Sequence, residues 1–210
     1  SSTLSIMAKD AVRNSDMIFA IATPAALAVQ NECKKQKSDV PVLFTAVTDP
    51  VSVGLVASNE APGANITGTN DMNPVADQVD LIIELVPGIT KLGVLYNVAE
   101  SNSKIQAELV KAQAAKQGVE VIVKTVSEAI EISAATTALI QTEGVQAIYL
   151  PTDNLIAANV ESLPPEYNNK QYKSPACRSA RGEYPADGRC GNGKVLHRQG
   201  GSQRVLYRGS

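Results

Sequence analysis

The sequence predicts an α/β fold built on parallel strands, and three observations carry that expectation. Apolar runs of strand length alternate with longer segments of helical period. Each apolar run delivers the chain into a loop of short polar side chains. The clearest case is Lys91 to Gly118, KLGVLYNVAESNSKIQAELVKAQAAKQG, which reads as strand, polar loop and helix, and a further apolar run from Val119 to Val123 follows at once. In open α/β sheets, ligands bind at the carboxyl ends of strands, where helix-start N–H groups and loop side chains converge.

Taken in order, Leu4 to Asn14 reads as the end of an amphipathic helix, with Leu4, Met7, Ala8 and Val12 three or four apart. Asp16 to Ala22 reads as a buried strand. Thr23 suits a helix cap and Pro24 a first helical position, for a helix reaching about Lys35. Val40 to Val47 is the next strand, and Thr48-Asp49-Pro50 repeats the pattern of a hydroxyl followed by a helix start. Gly54, Gly63 and Gly68 read as turn markers in the loose stretch that follows, with Ile66-Thr67-Gly68 short enough to be an interdomain crossing strand.

A helix from Pro74 to Val86 precedes the organising unit. Within that unit, Leu92 to Tyr96 has the continuous apolar character of a strand buried on both faces. The following helix is expected to carry Ile105, Leu109, Ala112 and Lys116 on one stripe, with Asn102 or Ser103 capping it and Gly118 as its left-handed stop. Ser127 to Thr142 reads as a helix with Ile130, Ala134, Thr137, Leu139 and Ile140 inward. Val145 to Leu150 is the last clear strand, leading into Pro151-Thr152-Asp153-Asn154 and a helix to about Leu163.

These elements divide into a first lobe at 1–68, a second at 69–153 and a returning helix at 154–163. Residues 164–210 differ in kind: they hold 9 Lys or Arg against 3 Asp or Glu, whereas 1–163 hold 10 against 18, so the net charge passes from −8 to +6. Half of the 14 glycines also lie there. Two readings stand for this tail, a basic segment for an anionic partner or a stretch foreign to the fold.

Composition excludes several function classes. A net charge of −2, 4 % aromatic residues and no Trp argue against nucleic acid as the main partner. The single His197 leaves almost no material for Ser-His-Asp, Cys-His or His-rich metal chemistry. Cys33 stands alone, and Cys177 and Cys190 either pair or stay free. No apolar run approaches the roughly 20 residues that span a bilayer. Neither a cofactor nor a metal is expected.

Five segments in order carry a resemblance: ATPAA (22–26), PVLFTAVTDPVSVGLV (41–56), GANITGTND (63–71), KLGVLYNVAESNS (91–103) and YLPTDN (149–154). Over roughly residues 3 to 163 the chain resembles the ABC-transporter substrate-binding proteins that take up aromatic amino acids such as tryptophan and phenylalanine. The resemblance implies a two-lobed type I periplasmic-binding-protein fold, each lobe a parallel sheet flanked by helices, closing like a hinge on its ligand. It implies an extracytoplasmic, non-catalytic receptor that hands an amino acid to an ABC permease. It also leaves the fold's first strand missing ahead of Ser1 and finds no counterpart for the tail.

An amino acid's ammonium and carboxylate both need partners when buried. Thr23, Thr48, Ser101, Asn102 and Ser103 are placed for the carboxylate at helix starts. Asp49, Glu100 and Asp153 are placed for the ammonium, and Asn97, Thr152 and Asn154 for orienting ligand or water. Six of them also have a structural alternative: Thr23, Asn102, Ser103 and Asp153 as helix caps, Asp49 as a turn residue, Asn97 as a loop closure. Two other functions compete with this reading: the sensory lobes of a transcription regulator, which share the architecture, and an enzyme with paired carboxylates, for instance Asp49 and Glu100.

Overall fold

The computed structural model describes residues 2–163 and 204–207. The readings of Cys177, Cys190, His197 and most of the basic tail therefore lie outside the described residues. The chain forms two compact units, one taking in the chain to Asn73 with Glu100–Asn102, the other Pro74–Ala99 with the chain from Ser103.

The first unit contains α1 (Ser2–Asn14), β1 (Ile18–Ile21), α2 (Thr23–Gln36), β2 (Val42–Val47) and β3 (Ile66–Asn70), and its strands form one parallel sheet in that order. Its core joins Ala8, Val12, Ala26 and Val29 of the helices to Ile18, Ala20, Val42, Phe44 and Ile66 of the strands. Both helices thus contribute to the core on one sheet face. The other face carries Phe19 and Ile21, each 60 % exposed, so β1 alternates and is not the fully buried strand its apolar composition suggests. Met7 is exposed too, and α1 is anchored through Ala8 and Val12.

Three local readings of this unit are corrected. Thr23 is not a cap: the helix is preceded by Ala22 and has no side-chain cap hydrogen bond, which leaves Thr23 inside the first turn. No helix follows Thr48-Asp49-Pro50. The chain turns tightly instead, with Leu55 N–H donating to the Pro50 carbonyl at 2.8 Å and Asp49 holding the Ser52 N–H at 3.0 Å. Gly68 is a strand residue paired with Phe44, not a turn marker. A glycine there lets two backbones approach closely.

The second unit contains α3 (Val75–Leu85), β4 (Lys91–Asn97), α4 (Ser101–Lys116), β5 (Glu120–Val126), α5 (Glu131–Thr137), β6 (Ala147–Leu150), α6 (Asn154–Ala158) and β7 (Arg204–Tyr207). The sheet order is β5-β4-β6-β7, with β4 parallel to both neighbours and β7 antiparallel to β6. β4 is central, and Leu92 to Tyr96 are all buried, as the continuous apolar run requires. One core layer packs α3 and α4 on the sheet through Val79, Ile82, Ala107, Val110 and Ala114. A second joins Leu95, Val126 and Ile148 to Ile132, Leu139, Ile156 and Leu163.

Helix phase is where the expectations fail. Leu109 is 43 % exposed, and the inner face of α4 is formed by Asn102, Ser103, Gln106, Ala107, Val110 and Ala114. Small alanines let the helix sit close to the sheet, and Ser103 and Gln106 meet polar partners on the β6 loop. The helix stops as expected, at Gly118 with φ +71°. Ile130 is 84 % exposed, and the inward residues of the next segment are Ile132, Thr136, Leu139 and Ile140. The cause is local: the Glu131 carboxylate accepts the Ser127 and Glu128 N–H groups at 2.6 and 3.2 Å, closing a turn. The helix therefore starts at Glu131, and these two donors hold that carboxyl below the usual range. A π-helical turn, Ala138–Thr142, completes the segment. A hydrogen bond from the Lys124 ammonium at 2.7 Å, with its opposite charge, holds the Glu143 carboxyl low as well.

Candidate functional site

The polar residues singled out in the sequence gather at the carboxyl ends of the strands. In the second unit, the ends of β4 and β6 and the first turns of α4 and α6 are joined by one carboxylate. Asp153 is 2 % exposed. Its Oδ1 accepts the Ile156 N–H at 3.0 Å, which caps α6, and its Oδ2 accepts the Asn97 N–H at 2.7 Å and lies 2.9 Å from the Ser103 hydroxyl. The single hydrogen of Ser103 serves either Asp153 or the Thr152 carbonyl at 3.1 Å. Desolvating a carboxylate is expensive unless donors replace its water, and here three donors converge on it. Asp153 thus has the capping role held as its structural alternative, and it links two strand ends as well.

Its neighbours are similarly tied. The Asn97 side chain accepts the Ala99 N–H at 3.0 Å and closes the loop after β4. Ser103 points across to the β6 loop and not along its own helix. Asn102 and Glu100 are 2 % and 5 % exposed, whereas Ser101 and Asn154 are exposed. Thr152 is half-buried and held by Gln106, a residue the sequence reading did not single out. Its signal was present: Gln106 follows Asn102 by four and Ser103 by three, so the three form a polar stripe on one helix face.

In the first unit, Thr23 and Thr48 are buried at 2 % and 1 % exposure, and Asp49 closes the turn onto Ser52. The backbone leading into these loops is strained. Ala22 has φ 74° and ψ 154°, a region almost reserved for glycine, and Ala46 has φ 54°. Such conformations concentrate at ligand-holding loops. Ala22→Gly is expected to raise the melting temperature, because relief of strain on the order of 1–3 kcal/mol exceeds the roughly 0.4–1 kcal/mol of added chain entropy. A calorimetric scan showing an unchanged or lower transition would mean that Ala22 is not strained.

Among the described residues no group of three or more His, Cys, Asp or Glu side chains is arranged to hold a metal ion. None of the described helices is long and apolar enough to cross a membrane.

The parallel sheets flanked by helices have the fold of the type I periplasmic binding proteins, shared with a leucine-binding protein from Thermotoga maritima that is 15 % identical with a TM-score of 0.55 over 71 % of this chain and 41 % of that one. The pattern of the ABC transporter substrate binding protein family matches residues 1–187, and the chain belongs to that family. It is 41 % identical over 162 residues to a tyrosine-binding protein of Clostridioides difficile (strain R20291), covering 77 % of this chain and 44 % of that protein. A Streptococcus pneumonia ABC domain solved in complex with L-Trp is 39 % identical with a TM-score of 0.71, over 77 % of this chain and 55 % of that one. A conserved domain protein from Vibrio cholerae is 35 % identical with a TM-score of 0.69, over 77 % and 53 %. The chain thus spans about half the length, or less, of the relatives it matches.

Proposed function

We propose that this chain is the solute-capturing part of an ABC importer, binding an aromatic amino acid at its strand-end loops and delivering it unchanged to a membrane permease from the extracytoplasmic side. The observation that carries the reading is its 39 % identity, at a TM-score of 0.71, to a structure that holds L-Trp. The tyrosine-binding relative supports the same ligand class.

The buried hydroxyls of Thr23 and Thr48, and Ser101, Asn102 and Ser103 at the start of the 16-residue α4, suit a ligand carboxylate. Asp49, Glu100 and Asp153 supply negative charge for the ammonium, with Asp153 also fixing the loops around it. Asn97, Thr152 and Asn154 orient ligand or water. Tyr96 and Tyr149 are core residues, and the Tyr149 hydroxyl is satisfied by Gln78 at 2.8 Å. The test is equilibrium binding of L-tryptophan, L-tyrosine and L-phenylalanine, followed by chromatography of the recovered ligand. Saturable binding with the ligand intact is expected, whereas turnover would replace the receptor reading with an enzymatic one.

A further inference from the structure

The sheet of the second unit ends in an open edge. In the order β5-β4-β6-β7, β5 pairs with β4 on one side, and among the described residues no strand lies on its other side. Which backbone groups face outward follows from the bonds already made. The Glu120 N–H donates to the Thr90 carbonyl at 2.9 Å, and the Val126 carbonyl accepts the Val98 N–H at 3.0 Å. Alternate residues of a strand turn their N–H and C=O to the same neighbour, so Glu120, Ile122, Lys124 and Val126 serve the ladder to β4. Val121, Val123 and Thr125 turn theirs outward.

Open rows of this kind template pairing with another chain, and proteins commonly block them with charge. The charges of β5 do not block it against itself. Glu120 and Lys124 stand on either side of Ile122 at equal spacing and share its sheet face. A two-fold axis at Ile122 therefore sets Glu120 opposite Lys124 of a second copy, and Lys124 opposite the second copy's Glu120. The same axis sets Val121 opposite Val123 of the second copy, both turned outward, as hydrogen-bonded pairs. An axis at Val123 would instead set Ile122 against Lys124 and Glu120 against Val126.

We propose that β5 is a self-complementary edge through which two copies of this chain pair antiparallel, joining their sheets across a two-fold axis at Ile122. Glu120 is exposed and Val121 to Lys124 are half-buried, so both side-chain rows are accessible at the rim. Val121 and Val123 already pack on one core layer and Ile122 on the other, and the pairing extends both. Lys124 holds Glu143 at 2.7 Å while its side chain stays 38 % exposed, so its ammonium has donors left for Glu120 of the second copy. The pairing makes no use of the strand-end loops and stands apart from the ligand reading.

Sedimentation equilibrium of the purified chain over a wide concentration range tests this. The wild type is expected to show a reversible monomer–dimer equilibrium. Glu120→Lys and Lys124→Glu each set like charges opposite one another at both ends of the ladder, and each is expected to weaken dimerisation by about tenfold or more. Mixing the two variants in equal amounts restores both opposite-charge pairs, and the mixture is expected to dimerise as the wild type does. Val123→Pro removes an outward N–H without touching the ladder to β4 and is expected to be monomeric with an unchanged circular dichroism spectrum.

A wild type that stays monomeric at millimolar concentration, single variants that dimerise unimpaired, or a mixture no tighter than its components would each overturn the assignment. Lys124→Glu also gives up the ion pair to Glu143. Should it not fold, Glu120→Lys and Val123→Pro decide: loss of the dimer in both supports the β5 edge, and a dimer that persists in either places the contact elsewhere and overturns it.

Discussion

Asp153→Ala is expected to lower the stability of the second unit by on the order of 3 kcal/mol, because two backbone N–H groups lose their acceptor at once and the Ser103 hydroxyl is left with the Thr152 carbonyl. The Asn97 and Ile156 N–H groups and the Ser103 hydroxyl all point at that carboxylate. Truncation leaves a hole that alanine cannot fill and polar hydrogens that water reaches poorly. Thermal denaturation should show a transition several degrees lower. Asp153→Asn should recover part of the loss, since its carbonyl oxygen still accepts while its NH2 opposes one of the donors. A truncated variant that melts like the wild type would mean the carboxylate does not hold the two strand ends together. Amino-acid binding should also weaken, because the loops that Asp153 joins carry residues proposed above to face the ligand.

Gly68→Ala is the second large effect. A Cβ at this position would press on the Phe44 carbonyl oxygen and come within 2.6 Å of the Phe44 ring carbons Cγ and Cδ2. The backbone oxygen cannot rotate away as a side chain can, so β3 must shift off β2. Overpacking of this kind costs about 1–3 kcal/mol and sometimes more, and the upper end is expected here. Gly88→Ala is the control. It adds a side chain in open space at φ +76°, where only backbone strain opposes it, a cost of about 1 kcal/mol. Chemical denaturation should rank Gly68→Ala well below Gly88→Ala, and equal midpoints would contradict the close approach of β2 and β3.

The strand-loop-helix-strand unit around β4 was legible because its signals are local. A run of five apolar residues demands burial on both faces, and Gly118 can take the left-handed turn that ends α4. The inner face of that helix was not legible, since Ile105 and Leu109 advertise an apolar stripe while the buried surface is formed by Asn102, Ser103, Gln106 and small alanines. Polar residues go inside mainly when partners wait there, and the partners of Ser103 and Gln106, Asp153 and Thr152, lie about 50 positions along the chain. Ile130 lies outside the helix because Glu131 folds back on Ser127 and Glu128, so Ile132 and Thr136 take the inner face in place of Ala134 and Thr137, while Leu139 and Ile140 are buried as expected. Pro50 and Gly68 show the limit of reading punctuation. Proline suits a helix start and glycine a turn, but a compact turn claims Pro50 and close strand pairing claims Gly68.

The candidate site was legible as a set of loops, and less so as a set of roles. Thr23, Thr48, Glu100 and Asn102 are all buried, but Asp49, Asn97, Ser103 and Asp153 each have structural hydrogen bonds that composition alone does not reveal. These two uses are compatible, because a carboxylate or amide held by its own loop is already oriented for a ligand and loses less freedom on binding.

The most direct test of the central claim is isothermal titration of the purified chain with L-tryptophan, L-tyrosine and L-phenylalanine. The account predicts saturable one-to-one binding of at least one of them, with glycine and L-lysine giving no comparable heat. A folded chain, verified by circular dichroism, that takes up none of the three aromatic amino acids would contradict it.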